Sequence, residues 1–74
     1  MINYEDALLK AKELKDDIDT CTEYDKGYLF SSETDKFSIG GDGPVVIMKE
    51  NGNAINQTSF YDTYNPKEIK TTKI

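Results

Sequence analysis

Five acids fall within ten residues in Asp16-Asp17-Ile18-Asp19-Thr20-Cys21-Thr22-Glu23-Tyr24-Asp25, with no base among them. Carboxylates this dense suit three kinds of chemistry: a calcium loop, an acid–base pair, or a patch that meets cations on a partner. A calcium loop needs Gly at its central turn and a bidentate Glu at its twelfth position. Counted from Asp17, the twelfth residue is Tyr28 and the central turn lacks Gly, so the register fails. Paired carboxylates arise by chance at this acid frequency, and a chain of 74 residues leaves little room for a substrate-sized pocket. An acidic patch facing Lys or Arg on a partner and speeding association fits the run better. Its plain counterpart is a solvated helix end and loop.

Nucleophilic chemistry finds no partners in the sequence. Cys21 sits among acids, which raise a thiol pKa, and the chain contains no His and no Arg. A Cys–His arrangement is therefore excluded, and Ser lacks its usual base. Gly40-Gly41-Asp42-Gly43-Pro44 resembles a phosphate cradle only in its glycine content. A phosphate loop opens a helix, whereas Pro44 leads into the apolar run Val45-Val46-Ile47. Glycines free to take positive φ, with Asp42 bonding the turn, make this segment scaffold. Asn56-Gln57-Thr58 fits a glycosylation sequon by chance in a chain read as cytosolic.

Composition narrows the class of partner. The formal charge is −5 and all nine basic residues are Lys. An acidic chain without the planar Arg fork is poorly matched to a phosphate backbone, so no direct nucleic-acid partner is expected. The expected partner is a protein with a basic surface. The lone Cys21 implies no internal disulfide, and no apolar run reaches a membrane span. The opening residues, MINYEDALLKAKELK, place acids where a secretory leader needs bases. The reading is cytoplasmic, with no membrane partner, no metal and no cofactor.

The elements that must position these residues fit one small α+β domain over 1–74. With 36% hydrophobic residues, five Tyr and three Phe, the chain has enough apolar surface for one core. Asn3 caps a helix over about 4–18, where Ala7, Leu8, Ala11, Leu14 and Ile18 follow helical spacing. Asp19 to Lys26 reads as a polar connection. Strands follow over about 27–32, 37–39, 44–49 and 53–60. Asn51-Gly52 signals a type I′ hairpin between the last two. Asn65-Pro66 favours a turn or helix start, and 71–74 reads as a frayed tail. The expected architecture is an N-terminal amphipathic helix packed on one face of an antiparallel meander of about four strands.

The order of these parts resembles the bacterial immunity protein 35 family. The matching positions are Gly27, Tyr28 and Phe30, then Gly41-Asp42-Gly43-Pro44, Val45-Val46-Ile47 and the Glu50-Asn51-Gly52-Asn53 hairpin. Tyr28 stands where the family has tryptophan. The match spans about residues 4 to 60. The resemblance implies an α+β domain encoded beside a toxin gene, which binds the toxin and protects its producer. It carries no catalytic residues and names no toxin.

The expectation is a non-enzymatic protein-binding module, most specifically an immunity protein that neutralises a cognate bacterial toxin by stoichiometric occlusion. Asp16, Asp17, Asp19, Glu23 and Asp25 would steer a basic toxin face. Tyr61 and Tyr64, from the aromatic segment Phe60-Tyr61-Asp62-Thr63-Tyr64, would anchor it, because tyrosine buries area while keeping a polar tip. Two alternatives share the size and the acidity. One is a phage-type inhibitor that presents acids in place of phosphates to a nucleic-acid-binding enzyme. The other is an accessory subunit that completes a larger assembly.

Overall fold

A computed structural model of the chain describes residues 1–15, 17–32 and 44–74. Its elements run α1 (Tyr4–Leu14), β1 (Thr20–Tyr24), β2 (Gly27–Ser31), β3 (Val45–Met48), β4 (Ala54–Asn56), α2 (Gln57–Tyr64) and β5 (Glu68–Lys73). The strands form one antiparallel five-stranded sheet in the order β4-β3-β2-β1-β5, giving an α+β fold. The two helices contribute to two separate apolar clusters, one for each face of the sheet.

α1 begins where the sequence places its cap. The Asn3 side chain accepts a hydrogen bond from the Asp6 N–H at 2.9 Å, with Glu5 and Asp6 in the first turn favouring the helix dipole. The helix stops at Leu14, four residues short of the expected end. Lys15 is already extended (φ −152°), and the acids that follow would oppose the negative end of the dipole. Ala7 and Ala11 are fully buried against Cys21, Tyr28, Phe30 and Ile47. Leu14 belongs to the expected stripe but is exposed, while Ile18 packs on the cluster from beyond the helix.

Period-two alternation in the strands divides the core. In the paired register Tyr28 stands opposite Ile47 and Leu29 opposite Val46. The first pair belongs to the α1 cluster and the second to the opposite one. β2 and β3 are therefore apolar on both faces, as strands covered on both sides are. Gly27 is required by close approach: a Cβ there would meet the Ile47 carbonyl oxygen at 2.9 Å.

Four expectations are corrected. The stretch read as a polar connection contains β1, whose Thr20, Cys21, Thr22 and Glu23 pair with β2 on one side and, with Tyr24, pair with β5 on the other. The strand expected over 53–60 ends at Asn56, which caps α2 by accepting from the Ser59 N–H at 2.7 Å. The turn or helix expected after Pro66 and the frayed tail are instead β5, held along β1 with a bulge opposite Glu23 and Tyr24. Tertiary pairing supplies what local propensity lacks there. The β3–β4 hairpin is wider than a type I′ turn. Gly52 takes φ 73° but Asn51 does not share it, and the Met48 N–H donates to the Asn53 carbonyl across the loop. The expected strand 37–39 and the turn Gly40–Gly43 lie outside the described residues.

Candidate protein-binding surface

Among the described residues, the second face of the sheet is covered by one short helix with one plug. Phe60 is fully buried and clusters with Tyr24, Leu29, Val46 and Met48. Its ring meets Tyr24 edge-on, with centroids 5.3 Å apart and planes at 79°. Asn65 ends α2 in the left-handed region (φ 44°, ψ 56°), a conformation Asn tolerates, and Pro66 follows.

Pinned at Phe60, α2 presents two tyrosines. Tyr61 is 40% exposed and Tyr64 is 41% exposed. The two differ in how firmly they are held. The Tyr61 hydroxyl lies 2.6 Å from the Tyr24 hydroxyl, and the Gln57 side-chain amide donates to the same oxygen at 3.3 Å. The Tyr61 ring also stands edge-on to Tyr24, at 5.8 Å and 73°. Burial pushes the Tyr24 pKa well above the ordinary tyrosine range, and the Tyr61 hydrogen bond and the Glu68 charge push it the same way. The Tyr24 hydroxyl thus keeps its proton through the physiological range, and its contact with Tyr61 is a fixed polar link between strand and helix. Tyr64 rests on Phe60 at 6.1 Å.

The described acids of the run are spread along and beyond β1. Asp17 pairs with Lys15 at 3.3 Å and accepts from the Ser32 hydroxyl at 3.2 Å. Asp19 accepts from the Thr20 hydroxyl at 2.8 Å. Both precede β1. Asp25 follows β1, exposed, and its carboxylate accepts from the Lys67 N–H at 2.9 Å. A strand rising about 3.3 Å per residue puts Asp19 and Asp25 roughly 20 Å apart. Glu23, between them, takes the Lys49 ammonium at 2.8 Å, and the same ammonium lies 5.0 Å from the centre of the Tyr28 ring. Asp16 lies outside the described residues. Charges adjacent in sequence are therefore distributed along a strand, and Glu23 is committed to a lysine of its own chain.

What the structure adds is Tyr24 as the support of Tyr61, with Asp25 next to it in the chain. The signals for α2 were present as Asn56 three residues before Ser59 and as the i, i+4 spacing of Phe60 and Tyr64. Among the described residues no group of His, Cys, Asp and Glu is placed to hold a metal ion. No helix among them is long and apolar enough to cross a membrane. No protein-family profile matches the chain, and no curated protein and no solved structure matches it.

Proposed function

We propose that this protein is a non-enzymatic protein-binding module that contacts its partner through α2. The observation that carries this reading is the pair of exposed tyrosines on a helix fixed from below by Phe60, one of them oriented in advance by a hydroxyl contact of 2.6 Å. A rigid aromatic that is already oriented loses little freedom on binding, which is what an interface anchor requires. The more specific proposal is an immunity protein of the cytoplasm that occludes a basic bacterial toxin domain in a stoichiometric complex. Its support is the resemblance carried by Gly27, Tyr28, Phe30 and the Pro44-Val45-Val46-Ile47 segment, together with the net charge of −5. Because the acids are spread along β1, they act as a general field that steers a cationic partner rather than as a single contact patch.

The proposal requires a toxin gene beside this one, and the test is calorimetric titration against the toxin domain of that gene's product. The expected result is one-to-one binding that Tyr61→Ala weakens by about 2 kcal/mol, the scale of an interface hot spot. Binding that is unchanged by both Tyr61→Ala and Tyr64→Ala would remove α2 as the contact. A neighbouring toxin that survives a saturating amount of this protein with full activity would remove the immunity reading.

A further inference from the structure

β5 is an outer strand of the sheet, and all six of its residues are exposed. Among the described residues its paired neighbour is β1 alone. In antiparallel pairing, residues alternate between those whose N–H and C=O face the neighbour and those whose groups face away. The Ile74 N–H donates to the Asp19 carbonyl at 2.8 Å. Ile74 and Thr72 therefore turn their backbone groups toward β1, and Thr71 and Lys73 turn theirs outward. The register agrees: Thr71 stands opposite Thr22 with the hydroxyls 3.3 Å apart, the closer side-chain spacing of a pair that does not exchange backbone bonds.

The charge of this edge is opposite to that of the rest of the chain. Residues 67–73 hold three lysines and one glutamate, whereas the other six lysines face thirteen acids. Lysine on an outer strand deters pairing with a neutral or basic strand. A second copy of β5 would bring two more lysines, Lys70 and Lys73, to the same edge, where like charges across a strand pair repel. The occupant that this edge admits is an acidic one.

We infer that β5 is a strand-addition site that takes an extended acidic segment of a partner protein. The outward N–H and C=O groups of Thr71 and Lys73 supply the main-chain ladder. Lys70 and Lys73, whose side chains fall on opposite faces of the sheet by alternation, set the preference for Glu or Asp on the incoming strand. The inference is independent of the α2 surface, which belongs to a different element and recognises side chains rather than backbone.

The experiment uses a fluorescein-labelled peptide of alternating Glu and Val, and a control with Lys in place of each Glu. The acidic peptide is expected to bind saturably by anisotropy, more weakly at high salt, while the Lys peptide does not bind. Amide exchange at Thr71 and Lys73 is expected to slow in the complex. The double variant Lys70→Glu with Lys73→Glu is expected to weaken binding at least about tenfold. Thr71→Pro removes an outward N–H that β1 does not use, so its circular dichroism is expected to be unchanged while peptide binding falls. The inference is overturned if the acidic peptide does not bind, or if both peptides bind equally. It is also overturned if protection appears on α2 and not at Thr71 and Lys73. Sedimentation showing a dimer with those two amides already protected would make a second copy the occupant and overturn it as well.

Discussion

The two faces of the sheet are closed in different ways. On one, α1 uses two alanines, Ala7 and Ala11, to bring its backbone down onto Tyr28, Phe30, Ile47 and Cys21, with Ile2, Tyr4 and Leu8 packed around them. The bulk comes from the sheet and the helix fits over it. On the other, α2 supplies the bulk itself: Phe60 enters a shallow cluster of Tyr24, Leu29, Val46 and Met48, with Ile55 alongside. The first arrangement spreads its contacts over three turns of helix, and the second concentrates them at one side chain. Local stability follows such contact density. The α1 side is therefore expected to be the scaffold, with the α2 side loosening before the sheet unfolds. The surface proposed for binding lies on the side where a partner would have most to stabilise.

Truncating the largest buried ring on each side gives the largest expected effect. Phe30 and Phe60 are both fully buried, so each Phe→Ala change should cost about 3–5 kcal/mol. A domain of this length holds roughly 4–11 kcal/mol in total. Phe30→Ala is expected to abolish the cooperative urea transition or move it to very low denaturant. Phe60→Ala is expected to release α2 first: amides of 57–64 should exchange at unfolded rates while those of β2 and β3 stay protected. Equal loss of protection across β2, β3 and α2 in the Phe60 variant would show that the two sides are one cooperative unit.

The same contrast explains which parts were legible from sequence. α1, β2 and β3 each carry a burial pattern, and burial pattern is what periodicity detects: Ala7 and Ala11 at helical spacing, Tyr28 and Phe30 on one face, Val45-Val46-Ile47 apolar throughout. β5 is exposed along its whole length, so neither of its faces has a pattern to read, and only its register with β1 makes it a strand. β1 was obscured by the acids that bracket it, although Thr20, Thr22 and Tyr24 are strand-forming residues. α2 is short and holds Thr, Phe and Tyr, which favour strands, and its helical state rests on the Asn56 cap and the Phe60 plug. For the candidate site, the sequence singled out Tyr61 and Tyr64 but placed them after a strand. Of the acids in the run 16–25, the described Asp17 and Asp19 precede β1 and Asp25 follows it, a spacing set by a strand that the acids themselves hide from a reading of the sequence.

Alkaline titration should reverse the order in which the two sides respond. Burial, aided by the Glu23 charge and opposed by Lys70, pushes the Cys21 thiol up from 9.0 to about 11. In the unfolded chain the thiol loses its proton near its ordinary value, while the folded protein holds the proton until about 11. The unfolded state therefore binds fewer protons through that window, and stability falls as pH rises through it, by about 1–3 kcal/mol. Tyr24, on the α2 side, starts from an ordinary value of 10.0 and is raised further, so its contribution is lost only above that point. Urea midpoints measured from pH 8 upward should begin to fall near pH 9. In Cys21→Ala the first part of the slope should disappear while the part beyond pH 10 remains, because Tyr24, Tyr4 and Tyr28, all raised by burial, still titrate. A slope unchanged by Cys21→Ala would remove Cys21 as its source.

The smallest expected effects separate the two sides by backbone rather than by packing, because among the described residues each side has one at positive φ. Gly52 (φ 73°) turns the β3–β4 hairpin beneath the start of α1, where a Cβ would meet Ile2 at 3.4 Å and the Lys10 ammonium at 3.3 Å. The Ile2 N–H donates to the Lys49 carbonyl at 2.9 Å in the same place, so the hairpin and the helix entry are tied together. Gly52→Ala should cost about 1–2 kcal/mol, the usual strain of a left-handed residue with a Cβ, and should raise amide exchange at Ile2. Asn65 (φ 44°) closes α2 with its N–H on the Tyr61 carbonyl at 3.2 Å. Asn65→Gly relieves the side-chain strain but adds freedom to the unfolded chain, so these terms oppose and the net change should stay within about 0.5 kcal/mol. If the Asn65 variant were the more damaging of the two, the hydrogen-bonded end of α2, and not the Phe60 plug, would be what holds that helix in place.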